Sequence, residues 1–308
     1  MGKSQIRISA VFEALRPIQW IKNLNLFAAV ILNGQLFNGP IFFKSLWAFI
    51  TFCFLSSSSY LINDVADVEK DRLHPAKKNR PIARGDLNSK TAIKVAVTLL
   101  IFGLIISKFV GLGFFIISLV FIILQYLYSF ALKKKAVVDI IGIAFFFIIR
   151  AYAGELATGY HLPVWIMLAV VFLSLFLASG KRRTELANTG TQTRSSLAGY
   201  DKTLLDFYTT MFAVCTLITY AMFTFFEEPI IFNGLIHNFL LDNFPKALGR
   251  KWYMVTLFPV IFGIMRYGQI IFEMEEGERP EKVIATDIPL LMIIFLWGLM
   301  MITIIYVI

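Results

Sequence analysis

The sequence predicts an all-α, polytopic membrane protein in which nine helices cross a bilayer, and three observations carry that expectation. Of its 308 residues 58% are hydrophobic, 31 are Phe, and the mean hydropathy is +0.73, beyond the range of an ordinary soluble domain. The apolar residues gather in runs long enough to cross about 30 Å of hydrocarbon. Lysine and arginine avoid those runs and collect on one alternate set of their ends.

Taken in order, the spans centre on residues 19–37, 42–62, 92–110, 112–132, 137–154, 162–179, 207–226, 254–272 and 288–308. Nothing before the first has the cleavable small-residue site of a signal peptide, so the first span is expected to remain as an anchor. The second ends in an acidic stretch at Asn63, the fourth in three lysines from Lys133, and the sixth in a basic cluster at Lys181. Of the 29 cations, 22 fall on that set of span ends, five fall on the opposite set, and Arg150 and Arg266 lie within or at the edges of spans. The positive-inside rule therefore places the N-terminus and the acidic stretch in the cytoplasm, with the C-terminus on the far side. The far-side segment 227–252 mixes apolar and charged residues and has the composition of an interfacial helix.

A net charge of +9 raises nucleic acid as a partner, but the cations sit on loops between spans with no nucleic-acid-binding motif around them. Anionic headgroups and phosphate substrates explain the charge better. Cys53 and Cys215 both fall within spans and read as packing residues, too few for a disulfide framework or a zinc site. His74, His161 and His237 are scattered, and no Ser-His-Asp or Cys-His arrangement is visible.

The stretch after the second span carries the chemistry. Asp64, Asp67 and Asp71 are spaced three and four apart, so on a helix they form one stripe with Asn63 beside it. Hard oxygen ligands in this arrangement suit Mg²⁺, which takes one or two protein carboxylates and completes its shell with water and phosphate. A solvated acidic helix end is the alternative. Directly downstream, five cations, among them Lys78 and Arg80, share a short loop with the carboxylates.

In these residues the chain resembles the UbiA superfamily of intramembrane prenyltransferases. The superfamily's N-D-x-x-D-x-x-x-D motif and following R-P-x-x-x-G segment are matched by Asn63, Asp64, Asp67, Asp71, Arg80, Pro81 and Gly85. The resemblance spans the whole chain, 1–308, as one domain. It implies helices arranged around a central cavity open to the cytoplasm and laterally to lipid, with cytoplasmic loops near 63–91, 128–139 and 180–206 forming the site. A weak four-helix repeat is consistent with it, because the aspartate loop and the basic loop lie four spans apart. Tyr128 and Lys133 resemble the tyrosine and lysine that the superfamily offers to substrate phosphate, whereas Lys134 and Lys135 read as a topology signal. Asp139 and Arg150 lie three turns apart on the fifth span. An ionisable group there faces either a substrate cavity or a structural partner on another helix.

After the sixth span the chain departs from members that use prenyl diphosphates, which carry a second D-x-x-x-D motif. Lys181 and Arg182 occupy that region, and no acidic pair four apart is present. Such cations neutralise phosphate directly, arginine often in bidentate fashion. Together with the opening Arg16-Pro17-Ile18-Gln19-Trp20-Ile21-Lys22-Asn23, this resembles the decaprenyl-phosphate phosphoribosyltransferase branch. That resemblance implies 5-phosphoribosyl diphosphate as donor, a polyprenyl phosphate as acceptor, Mg²⁺ as cofactor, a bacterial plasma membrane as the location and cell-wall biosynthesis as the setting. Lys22, Asn23, Lys78, Arg80, Lys181 and Arg182 would then contact substrate, and the lipid phosphate, already an anion, needs no strong general base. A prenyl group moved from a prenyl diphosphate to an aromatic or isoprenoid acceptor is the alternative reaction, and a transporter the non-enzymatic one. The sequence leaves monomer and homo-oligomer open.

Overall fold

The computed structural model describes residues 8–73, 77–190, 195–228 and 235–307, and among these there is no strand. Among the described residues eight helices are long and apolar enough to cross a membrane. They are α1 (Gly39–Ala66), α2 (Ser89–Val110), α3 (Leu112–Phe130), α4 (Val138–Thr158), α5 (Val164–Thr189), α6 (Lys202–Phe226), α7 (Leu257–Phe272) and α8 (Ile288–Tyr306). Each satisfies its own backbone along its length, as hydrocarbon demands. Large apolar side chains such as Phe109, Phe258 and Phe295, each at least 75% exposed, point outward where a soluble protein would place polar residues.

The first expected span, 19–37, takes a different form. Pro17–Phe27 is a 3₁₀ helix of 11 residues that continues into a short α-helix, Ala28–Leu32, with helical dihedrals kept at Phe27 and Ala28. At about 2.0 Å per residue in the first part and about 1.5 Å in the second, the pair reaches about 30 Å, a full hydrocarbon thickness. In 3₁₀ geometry residues three apart eclipse, so Gln19, Lys22 and Asn25 form one polar ridge. Lys22 donates to Gln19 at 2.5 Å, and Asn25 donates to the Phe147 carbonyl of α4 at 3.0 Å. The segment lies so close to α4 that a Cβ on Gly154 would stand 2.4 Å from the Leu26 carbonyl oxygen.

Two further contacts set the frame of the site. Small residues let α1 and α2 approach, with Ser58 donating to the Ala96 carbonyl at 2.8 Å and Gly103 lying against Leu55. Beside them Phe52, Phe114, Phe121 and Phe146 join α1, α3 and α4 in one aromatic core. On the other side α5 packs along α6. The sixth span was expected to end at residue 179, but α5 runs on to Thr189, so Lys181, Arg182 and Arg183 are helical and not part of a loop. The helix can outlast its apolar run because both arginines find carboxylates, Arg182 on Asp139 at 2.7 Å and Arg183 on Asp206 at 3.0 Å.

In the segment 227–252 two short helices are described, Leu235–Asn243 and Pro245–Leu248. Phe239 and Leu241 of the first are exposed, as an interfacial helix would have them.

Candidate active site

A cavity of about 1080 Å³ opens at one end of the bundle, and residues far apart in sequence line it. Its walls come from the N-terminal segment through Arg16 and Gln19, from the end of α1 and the Val68–Leu73 helix, from the loop after it, from α3 through Tyr128, from Lys133, from Lys181 on α5, and from Glu278 to Lys282. The cation-rich ends that the sequence assigns to one membrane face therefore meet around one space.

The three aspartates line one wall. α1 ends at Ala66, Asp67 caps it outside helical geometry, and Val68–Leu73 resumes, with the Asp71 N–H donating to the Asp67 carbonyl at 2.8 Å. The stripe is thus bent at its middle member. Asp64, 2% exposed, accepts from Arg16 at 2.5 Å and from Arg80 at 3.0 Å, and Arg80 reaches on to Asp71 at 2.6 Å. Lys133 binds Asp67 at 3.0 Å and the Asn63 amide oxygen at 3.2 Å. Burial pushes the Asp71 carboxyl above its ordinary range, against the pull of Arg80. Arg80 is held in place by its loop, in which Ile82 and Leu87 are buried under α1 and α2 and Arg72 donates to the Ala83 carbonyl at 3.2 Å. Gly85, at φ 90°, turns that loop back.

Among the described residues no three His, Cys, Asp or Glu side chains are grouped so that they could hold a metal ion by themselves. The donor set nonetheless fits Mg²⁺ of the open kind, because carboxylate oxygens and one amide oxygen face a cavity with room for phosphate and water.

The remaining expected site residues divide. Tyr128, Lys133 and Lys181 line the cavity. Lys22 stands behind it, 3.1 Å from Glu281, which does line it. Lys78 is exposed and turned away, while its neighbours Lys77, Asn79 and Arg80 line the wall. Arg182, expected to grip phosphate directly, is 1% exposed. It donates to Asp139 at 2.7 Å, to Tyr128 at 3.2 Å and to Glu185. Asp139 also accepts from Ser196 at 2.9 Å and from Tyr200 at 2.7 Å, so it is fully engaged in the interior. The phosphate role assigned to Arg182 is therefore corrected to that of a buttress behind Tyr128 and Glu185.

Arg150 and Asn23 also belong to the interior. Arg150 donates to Asn23 at 2.7 Å and to the Phe146 carbonyl at 2.7 Å, lies over the Phe121 ring at 5.0 Å, and has Ser56 at 3.5 Å. Asn23 is fully buried and donates to the Cys53 thiol at 3.3 Å. Of the two readings open for Arg150, the structural clamp between the 3₁₀ segment, α1 and α4 is the one its contacts support. His161 lies near Glu155, whereas His74 and the side chain of His237 fall outside the described residues.

Sequence reasoning missed Glu281. Its Oε1 accepts from Gln19, it lies beside Lys22 and Lys181, and although burial opposes the charge, the two ammonium groups draw its carboxyl down to about 2. The signal that could have found it is the eclipsed Gln19 and Lys22 ridge, which needs an anion somewhere in the fold.

The model of the UbiA prenyltransferase family matches residues 25–241. The chain belongs to this family. Among its UbiA relatives, a decaprenyl-phosphate phosphoribosyltransferase from Mycolicibacterium smegmatis is 37% identical over 96% of this chain and 92% of its own length. Another of that name, from Corynebacterium glutamicum, is 34% identical over 96% and 87%. A UbiA homolog from Archaeoglobus fulgidus solved with DMAPP and Mg²⁺ superposes with a TM-score of 0.66 at 19% identity, covering 97% of this chain and 99% of that one. That last likeness establishes the fold: an integral membrane bundle of the UbiA type.

Proposed function

We propose that this protein transfers 5-phosphoribose from 5-phosphoribosyl diphosphate to a polyprenyl phosphate and releases pyrophosphate, with Mg²⁺ as cofactor. The observation that carries this reading is the charge layout of the cavity, where one bent aspartate stripe faces cations from several separate segments. A single metal-carboxylate wall serves one diphosphate. The surplus cations suit the further phosphates, one on carbon 5 of the donor and one on the lipid. The relatives named for this activity, similar along nearly the full chain, support the same assignment.

Asp64, Asp67 and Asp71 would hold Mg²⁺, which when bound neutralises charge on the departing diphosphate. In its absence Arg16, Arg80 and Lys133 neutralise the aspartates, and these same cations are positioned to re-pair with phosphate oxygens when substrate arrives. Lys181, from α5, also lines the cavity and offers a second phosphate contact. Tyr128 lines the cavity and also an adjoining apolar groove with Leu124, Ile141 and Phe145, a path for the prenyl tail out of the charged space. The lipid phosphate attacks carbon 1 of ribose opposite the leaving group as oxocarbenium character develops, so positioning and charge stabilisation suffice. On the positive-inside rule the cavity faces the cytoplasm.

Purified protein given Mg²⁺, labelled 5-phosphoribosyl diphosphate and a polyprenyl phosphate should release pyrophosphate and carry the label into lipid, with inversion at the anomeric carbon. A prenylated aromatic product without ribose transfer would overturn the assignment.

A further inference from the structure

The α7–α8 connection contributes a residue that the aspartate and lysine motifs do not explain. The end of α7 and the start of this connection are docked onto α5 by Arg183 donating to the Ile271 carbonyl at 2.6 Å and by Asn188 donating to the Glu275 carbonyl at 3.0 Å. This fixes the short helix Pro280–Thr286, whose second residue, Glu281, lines the cavity while being 4% exposed. A carboxylate among phosphate-binding cations is at first sight misplaced, since it repels the very groups they attract.

Its hydrogen bonding is incomplete. Oε1 accepts from Gln19. The Lys22 ammonium is ion-paired with Oε2 at 3.1 Å, and beyond that pair no donor reaches Oε2. An ionised carboxylate has about four acceptor sites, so a buried one left this way has capacity for further donors. The groups flanking it, Gln19 and Lys22, are partly exposed long side chains able to turn aside. A prenyl diphosphate brings no donor to such a place. A pentose donor does, because its ring hydroxyls each carry one proton to give, and the cavity's cations cannot accept it.

On the proposed phosphoribosyl reading, we infer that Glu281 is the ribose-recognition residue, its carboxylate accepting hydrogen bonds from the 2- and 3-hydroxyls of the donor. Gln19 and Lys22 hold it, and Lys181 flanks it. The same contact orients the sugar so that carbon 1 is presented between the aspartate wall and the lipid phosphate.

The test uses the full chain in detergent with Mg²⁺. Binding of 5-phosphoribosyl diphosphate, of its 2-deoxy and 3-deoxy analogues, and of inorganic pyrophosphate is measured by calorimetry for wild type and for Glu281→Gln. Wild type should bind at least one deoxy analogue about ten- to a hundredfold more weakly than the donor, the range for a hydrogen bond to a charged group. Glu281→Gln should lose donor affinity by a similar factor, treat donor and deoxy analogue alike to within about twofold, and keep pyrophosphate binding. Glu281→Asp retains the charge beside the lysines but withdraws the carboxylate, so it should show the same pattern and serves if the glutamine variant does not fold. Equal loss of donor and pyrophosphate with the deoxy discrimination intact would overturn the inference, since Glu281 would then only position Lys22 and Lys181. Wild type that binds and turns over the donor without any deoxy discrimination also overturns it while leaving the transferase reading in place. Wild type that does not bind the donor removes both.

Discussion

Two ionic networks in this protein are built from the same residue types and do opposite things. In the cavity, Arg16, Arg80 and Lys133 are each between 23% and 24% exposed and share Asp64, Asp67 and Asp71 among them. A few turns away, Arg182 and Asp139 are 1% and 0% exposed and satisfied by Glu185, Tyr128, Ser196 and Tyr200. On the proposed function the first network is wet enough to exchange partners with a phosphate, whereas the second has lost its water and can only be broken at full desolvation cost. The exposure of the cations, not their charge, separates the two networks.

The largest expected effect breaks the buried network. Asp139→Ala leaves the buried Arg182 with Glu185 as its remaining carboxylate and strips Ser196 and Tyr200 of their acceptor, which should cost about 3 kcal/mol or more and appear as a large drop in the unfolding temperature in detergent. Arg80→Ala should cost much less stability, because Asp64 keeps Arg16. Equal drops for the two variants would erase the distinction.

The converse variant sharpens it. Asp64→Asn and Asp67→Asn should keep the fold and lower turnover by about a hundredfold or more, the scale of losing a group that stabilises transition-state charge. EDTA should silence the wild type reversibly. Next in size is Lys181→Ala, expected to raise KM for donor or lipid by about 1.5–3 kcal/mol without a comparable change in unfolding temperature. Unchanged kinetics would return Lys181 to a topology signal.

The spans were legible because long apolar runs admit little else in a bilayer, and the aspartate wall was legible because its spacing is local. What escaped depended on contacts across the chain. The 3₁₀ segment differs from an α-helix only by a period of three in place of 3.6, and its clue is the ridge Gln19, Lys22 and Asn25. Lys181 and Arg182 looked alike in a presumed loop. On a continuous helix they sit about 100° apart, so one faces the cavity and the other the interior. Glu281 is 262 residues from Gln19 and sits in a connection that reads as a solvated acidic turn.

Glu281 also links the two regimes, being buried like Asp139 but facing the cavity like Asp64. Because its carboxyl is drawn from the ordinary 4.5 to about 2, its contribution to stability is complete above about pH 4.5 and is lost as the pH falls towards 2. The difference in unfolding temperature between wild type and Glu281→Gln should shrink as the pH falls below about 4.5. A difference that grows on acidification would mean that the lysines do not hold the ionised form.

The smallest effect tests the boundary of the open network. Lys78 belongs to the same Lys77–Asn79 turn as two cavity residues, yet it is exposed and does not line the wall. A short turn of 3₁₀ type sends successive side chains in different directions, so sequence proximity to Arg80 gives Lys78 no share in the site. Lys78→Ala should leave kcat and KM within about twofold of wild type, the roughly 0.5 kcal/mol scale of an exposed substitution. Arg80→Ala, two residues on, should raise KM strongly because it removes the cation that bridges Asp64 and Asp71. A tenfold KM defect in Lys78→Ala would show that the loop re-forms around substrate and that exposure in the free protein does not mark the limit of the binding surface.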